Sequence, residues 1–258
     1  MRYFARKKQV SVDLKTLMET GQGKSLDKMS HNVQGTESQL VLMQVACFLH
    51  RELPVRLAHR AIELESTVLA SSKHIQEVCS WYKQSFKEIR ECELPMDVEK
   101  EARFAQVIDS IYLRHSTTLM TMAKGAHEIR SKGGLDLREF SEQEEYQRNL
   151  DDFYMSRIGV RMLIGQYLAL REARHDERDT SLIGMVDRQA SPYLIAQQAI
   201  DDATFMCTRQ HGDAPEVHVV GRTDLTLPYV PSHISYIMLE LLKNSMRATV
   251  EEHGIDNM

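Results

Sequence analysis

Glu240, Lys243, Asn244 and Arg247 recur at three- and four-residue steps within the stretch ISYIMLELLKNSMRATV at 234–250. On a helix this spacing sets an acid, an amide and two cations on one side, near enough to act on one ligand, with Tyr236 extending the stripe by a turn. The set suits phosphoryl transfer. An Asn oxygen suits magnesium held jointly with phosphates, Lys and Arg suit the phosphates themselves, and Glu can position or deprotonate a hydroxyl nucleophile. Such a reaction asks mainly for positioning and charge stabilisation. A solvated helix face carries the same mixture of charges, and the pattern alone leaves the two readings level. No P-loop, G-x-S-x-G, H-E-x-x-H or dinucleotide fingerprint accompanies the stripe.

A second group lies upstream. Arg157 and Arg161 are four residues apart on a stripe that includes Tyr154, Ile158, Ile164 and Leu168. Buried guanidiniums are expensive unless paired, so the two require either structural ion pairs or an anion. His115 falls on the apolar stripe of Phe104, Val107, Ile108, Ile111, Tyr112 and Leu119, either as a packed core histidine or as a site residue. The remaining histidines are scattered. Four cysteines (Cys47, Cys79, Cys92, Cys207) form no C-x-x-C pair, which argues against a disulfide framework or thiolate zinc site and for a reducing compartment.

The elements that must position these groups are mostly helical. The chain is long enough for one large domain or two ordinary ones. Residues 1–12 carry Arg2, Arg6, Lys7 and Lys8 before any acid, as a basic tail or the remnant of an organelle leader. Polar Thr16–Ser38 reads as a short helix and an exposed connection. Helices are then predicted over Glu37–Arg51, from the first turn after Pro54 to Leu69, over Lys73–Phe86, over Glu99–Ser131 ending at Gly133-Gly134, and over Phe140–Arg171. Helices of this length joined by short links indicate an antiparallel bundle, most simply of four, over 13–171. A charged linker occupies 172–180. Beyond it, Ser191-Pro192 opens a helix to about Ala203, and Glu216–Val220 with Leu225–Val230 read as a hairpin around Gly221–Asp224. In the helix that carries Glu240, the face of Ile234, Ile237, Met238, Leu241, Ser245 and Ala248 is expected to pack on a sheet. The fold class is therefore α plus α/β, with only the first part of the α/β layer in 181–258.

A net charge of −5, mixed in sign, suggests no nucleic-acid partner, and no apolar run approaches the roughly 20 residues that span a bilayer.

The motif E-L-L-K-N-S-M-R-A-T at 240–249 resembles the N-box of the mitochondrial 2-oxo-acid dehydrogenase kinases, which share their fold with histidine kinases and gyrase-type ATPases. The similarity continues in order through E-L-P-V-R-L-A-H-R at 52–60, W-Y-K-Q-S at 81–85, Arg114-His115, Y-M-S-R-I-G-V-R-M-L-I-G-Q at 154–166 and L-P-Y-V-P-S-H at 227–233. It covers nearly the whole chain from about Asp13. A-I-E-L-E at 61–65 and the segment 156–166 resemble the plant and protist pyruvate dehydrogenase kinases, while Ala214-Pro215 and Tyr236 also suit the branched-chain kinase. The resemblance implies ATP-dependent phosphorylation of serine on the first component of the dehydrogenase, in the mitochondrial matrix, with ATP and Mg²⁺. It implies a four-helix-bundle regulatory domain that docks on the lipoyl domain of the transacetylase core, then a histidine-kinase/gyrase-type (Bergerat) ATP-binding sandwich through which the protein dimerises. By position, Glu240 resembles the general base, Asn244 the magnesium ligand, and Lys243 and Arg247 nucleotide contacts. Tyr82, Ser85, His115, Arg157 and Arg161 resemble the regulatory pocket for pyruvate-like carboxylates.

Three departures qualify the match. Tyr236 stands where some members place a histidine one turn before the base, and Tyr112 where many have a carboxylate-binding arginine, so weaker inhibition by pyruvate-like acids is expected. The D-x-G-x-G box, ATP lid and later glycine box would lie beyond Met258. Residues 1–258 alone are therefore expected to bind nucleotide weakly, as the first part of a working kinase or as a shortened non-catalytic relative that binds the lipoyl domain.

Overall fold

The structure, a computed structural model, describes residues 1–24, 35–173 and 181–254. Most of the charged linker and part of the polar connection before Ser38 lie outside the described residues. The chain divides into two compact units, Met1–His175 and Asp176–Met258.

The first unit is helical: α1 (Leu14–Gly21), α2 (Glu37–Ser66), α3 (Lys73–Glu91), α4 (Val98–Arg114), α5 (Thr118–Gly133), α6 (Leu137–Ser141) and α7 (Glu144–Glu172). Thr36 and Gln39 close a reciprocal capping box at the start of α2, which satisfies amide groups the helix itself cannot. This helix packs against α3, α4 and α7. Leu49, Leu53, Leu57, Tyr82, Phe104 and Tyr167 are among the side chains sealed in the core. At Gly125 in α5 a Cβ would come within 2.5 Å of Ile75 of α3, so the missing side chain permits that close approach.

Three expectations need correction here. The sequence predicts a helix end before Pro54, yet α2 runs through it without a break. A mid-helix proline costs about 3 kcal/mol, and burial of Leu49, Leu53, Pro54, Val55 and Leu57, over little more than two turns, offsets that loss. The single helix expected over Glu99–Ser131 is two, α4 and α5, parted at His115–Thr117. Ser116, Thr117 and Thr118 follow one another there, and hydroxylated side chains favour turns over helix interiors. The helix expected from Phe140 is divided too: α6 has its own capping box, Asp136 with Glu139, before α7 begins. The left-handed cap at Gly134 is present as expected.

The N-terminal segment is fastened to α2 and α3. Phe4 lies edge-on to Phe86, Lys7 O meets His59 Nε2 at 2.9 Å, and both polar groups of the Val10 backbone are held by side chains of α2.

The second unit joins strands β1 (Leu182–Ile183) and β2 (Val186–Ala190), helix α8 (Pro192–His211), strand β3 (Leu227–Tyr229) and helix α9 (Pro231–His253). The sheet order is β1-β2-β3, antiparallel throughout, with Ile183 opposite Val186 and Asp187 opposite Tyr229. The hairpin is thus not where the sequence places it. It forms across Gly184, whose positive φ suits a two-residue turn, while 216–220 runs without ladder partners and leaves Val220 94% exposed. β3 keeps part of the predicted second strand but pairs with β2. Ser191 caps α8 by accepting from Leu194 N, as the Ser-Pro signal predicts, and Gly212 ends it in a left-handed conformation.

Candidate functional site

The polar stripe of α9 folds as its spacing predicts. Lys243 donates to Glu240 Oε1 at 2.8 Å, one turn apart, and Arg247 donates to Glu251 at 2.7 Å. Glu240 and Lys243 remain 41% and 35% exposed, so the pair is solvated rather than sealed. Lys243, Asn244 and Arg247 together line an open groove of about 740 Å³ against α8, with Arg209, His211 and the single carboxylate Asp202. Arg209, Lys243 and Arg247 give it three cationic donors, which fits a phosphate-bearing ligand. An amide oxygen at Asn244 beside them fits a magnesium ion shared with those phosphates.

The apolar face of α9 differs from expectation. Met246 and Val250 join Ala203 and Cys207 in the buried cluster, with Leu239 and Leu242 packed against it. Ile237 and Leu241, placed on the packing face by the sequence, are 53% and 61% exposed. The helix carries two apolar stripes, and the one through Leu239, Leu242, Met246 and Val250 takes α8.

In the helical unit, Tyr82, His115, Arg157 and Arg161 converge on one small cavity of about 10 Å³, floored by Leu57, Ile111 and Ile164. That is room for a single water-sized group. Ser85 joins them through His115 Nε2 at 3.0 Å. All five residues predicted for the regulatory pocket are therefore neighbours. The break between α4 and α5 helps assemble it: His115 ends α4, and its carbonyl accepts from Arg157 Nη2 at 3.3 Å.

Among the described residues, neither Arg157 nor Arg161 pairs with an acid, and Arg157 Nε and Arg161 Nη1 are buried without hydrogen-bond partners. Of the two readings left open by the sequence, the ion pair is absent among the described residues, and the geometry suits an anion. Burial, with Arg161 alongside, lowers the Arg157 pKa. Burial also pushes the Tyr82 hydroxyl up to about 12, against the pull of Arg157, Arg60 and Arg161. His115 is held down to about 4, first by burial and then by Arg114, Arg157 and Arg161, with Glu88 opposing. It is neutral near pH 7.

Sequence reasoning missed two features of this group. Arg114 donates to Ser85 Oγ at 2.9 Å and grips both oxygens of Glu88 at 2.7 and 2.8 Å. Since arginine only donates, Ser85 accepts from it and keeps its own proton for a second bond, while His115 Nε2 lies 3.0 Å from the same oxygen. Arg161 is the second feature: its guanidinium stacks on the Tyr112 ring at 4.0 Å. The Arg114-His115 pair was visible in the sequence, but its reach to α3 was not.

A third cavity, of about 180 Å³, is predominantly apolar. Leu17 of α1, Val45 and Phe48 of α2, Leu163 and Leu170 of α7, and Val10–Val12 of the N-terminal segment line it. The nearly circumferential apolar pattern of α2 was its only sequence signal.

A family model described as mitochondrial branched-chain alpha-ketoacid dehydrogenase kinase matches residues 11–187. A mitochondrial [pyruvate dehydrogenase (acetyl-transferring)] kinase of Arabidopsis thaliana is 36% identical over 255 residues, covering 97% of this chain and 63% of the relative. The namesake of Schizosaccharomyces pombe is 32% identical, covering 84% and 64%, and isozyme 3 of Mus musculus is 36% identical, covering 80% and 51%. The chain thus spans less than two thirds of the length of these relatives. No helix among the described residues is long and apolar enough to cross a membrane.

Proposed function

We propose a function from the premise that this chain belongs to the mitochondrial branched-chain alpha-ketoacid dehydrogenase kinase family: it is, or contributes to, an ATP-dependent protein-serine kinase acting on the first component of the pyruvate dehydrogenase complex in the mitochondrial matrix. The relatives named for pyruvate dehydrogenase favour that complex over the branched-chain one. In this reading α2, α3, α4 with α5, and α7 make a four-helix-bundle regulatory domain, and β1–β3 with α8 and α9 make the first part of a Bergerat sandwich that also carries the dimer contact.

The observation that carries the proposal is the α9 stripe, where an acid, an amide and two cations lie along one helix, the amide and cations lining one groove. ATP with Mg²⁺ supplies the transferable phosphoryl group and neutralises its charge. Glu240 takes the proton of the substrate serine hydroxyl. Lys243, already bonded to Glu240, orients that carboxylate and turns toward phosphate oxygens when they arrive. Arg247 uses the N–H groups not given to Glu251, and Asn244 offers its oxygen to magnesium.

Two further sites belong to the same reading. The cavity of Tyr82, Ser85, His115, Arg157 and Arg161, which holds only a water-sized space in this structure, widens to take a small 2-oxo carboxylate that meets the unpartnered Arg157 Nε and Arg161 Nη1. The apolar cavity takes the lipoyl group of the transacetylase core, whose hydrocarbon chain matches its lining.

Incubation of the protein with labelled ATP, Mg²⁺ and purified first component tests the proposal. Label on serine that disappears in Glu240→Gln is the expected result. Absence of label with the pyruvate complex and transfer to the branched-chain complex instead would overturn the substrate assignment, and absence with both would overturn the kinase reading.

A further inference from the structure

We propose that Glu52, Arg56 and Gly159, none of which lines the apolar cavity, position the N-terminal wall of that cavity. The inference rests, for its ligand alone, on the reading that the cavity takes a lipoyl group.

The wall is a piece of chain without secondary structure. Val10, Ser11 and Val12 border the cavity, and nothing in their own backbone pattern holds them there. Their anchorage comes from α2. Val10 N donates to Glu52 Oε1 at 3.0 Å, and Arg56 Nη2 donates to Val10 O at 2.6 Å. Arg56 Nε donates to the same Glu52 oxygen at 2.8 Å, closing the arrangement into a ring. A carboxylate and a guanidinium thereby act on one residue as a neighbouring strand would, taking its N–H and serving its C=O. Both side chains are largely buried, so the Arg56–Glu52 bond at the base of the ring is shielded from competing water, while Val10 itself is half exposed.

Gly159 completes the device from α7. A Cβ at that position would stand 3.2 Å from Arg56 Nη1, tighter than ordinary contact. Its absence gives the guanidinium room to reach Val10. Residues on two helices thus fix one wall of a cavity they do not touch. Only arginine suits the central position, because a lysine ammonium cannot serve Glu52 and Val10 in the same fixed fork.

Hydrogen exchange at Val10–Val12 and calorimetric titration with lipoamide test the proposal on the wild-type chain, Arg56→Gln, Arg56→Lys and Gly159→Ala. Pyruvate titration and thermal melting check that the helical unit stays folded. In both Arg56 variants the Val10 amide should exchange about tenfold faster or more and lipoamide should bind about tenfold more weakly, because the wall is no longer pre-organised. Gly159→Ala should shift both in the same direction by a smaller factor, and pyruvate affinity should stay unchanged in all. Unchanged Val10 exchange in the Arg56 variants overturns the proposal, as does lipoamide binding that is equal in all four chains. Should the wild type bind no lipoamide while the exchange difference is present, the lipoyl reading falls and the positioning of the wall stands.

Discussion

The two units carry polar groups of similar kind and treat them in opposite ways. In the helical unit Arg157 is only 8% exposed, and no carboxylate among the described residues answers it or Arg161. In the second unit Lys243 and Arg247 lie at the surface, each matched by an acid within a turn of its own helix. The first arrangement spends folding energy to keep charge ready for a ligand. The second keeps the charges solvated and locally satisfied, so a ligand there must draw Lys243 away from Glu240 and share Arg247 with Glu251. An anion entering the helical cavity relieves a strain already present, whereas one entering the α9 groove exchanges one partner for another.

Four substitutions or titrations break or sharpen this contrast. The largest effect is expected at Glu240→Gln, which should lower phosphate transfer by about a hundredfold or more, the scale of a lost general base, while the melting temperature stays near that of the wild type because the residue is solvated. A matching loss of stability would mean that the stripe is structural.

Next comes pH. The His115 pKa is depressed in the folded chain to about 4, so folding prefers the neutral ring. Its contribution is complete above the unfolded value of 6.5 and is lost as pH falls from there through 4, a loss of roughly 3 kcal/mol. Urea unfolding at several pH values, with His115→Asn as reference, should show the extra slope only in the wild type. Pyruvate should reduce that slope by countering the charge of Arg157 and Arg161.

Arg157→Met should raise stability by about 1 kcal/mol, as expected when an unpaired buried charge gives way to an apolar chain, and should abolish pyruvate binding in calorimetry. A destabilised variant would place a hidden counter-charge in the cavity. The smallest effect is expected at Tyr112. Tyr112→Phe keeps the face that Arg161 stacks on and should change little. Tyr112→Leu should cost about 0.5–1 kcal/mol of cation–π contact while freeing Arg161, so that pyruvate binds several times more tightly on titration.

Local chemistry made part of this legible from sequence. The three- and four-residue spacing of Glu240, Lys243, Asn244 and Arg247 gave the stripe, Ser191-Pro192 gave the start of α8, and Gly134 gave the end of α5. What stayed hidden depends on tertiary contact. Pro54 is a helix breaker by its own chemistry, and only burial on every side keeps α2 continuous through it. His115 looked like a mid-helix residue because its apolar spacing carries on into Leu119, whereas its carbonyl turns to Arg157. On α9 two apolar stripes compete, and hydrophobicity alone does not say which one α8 will cover. Resemblance gathered Tyr82, Ser85, His115, Arg157 and Arg161 into one group, and the structure brings all five together. The apolar cavity had no comparable signature, since its lining is ordinary core residues plus three from a segment read as a tail.

The unbroken course of α2 has a genetic consequence. Glu52 and Arg56 hold the wall of one cavity and Leu57 floors the other, so the six residues from Glu52 to Leu57, a rise of about 7.5 Å along the helix, serve both. Alleles at Glu52 or Arg56 should alter the response to an apolar group and alleles at Leu57 the response to a carboxylate, whereas a change at Pro54, which shifts the backbone between them, should be pleiotropic. Alleles at Phe48 or Tyr112 should each disturb a single response, and second-site suppressors of either should map back to the turn around Pro54.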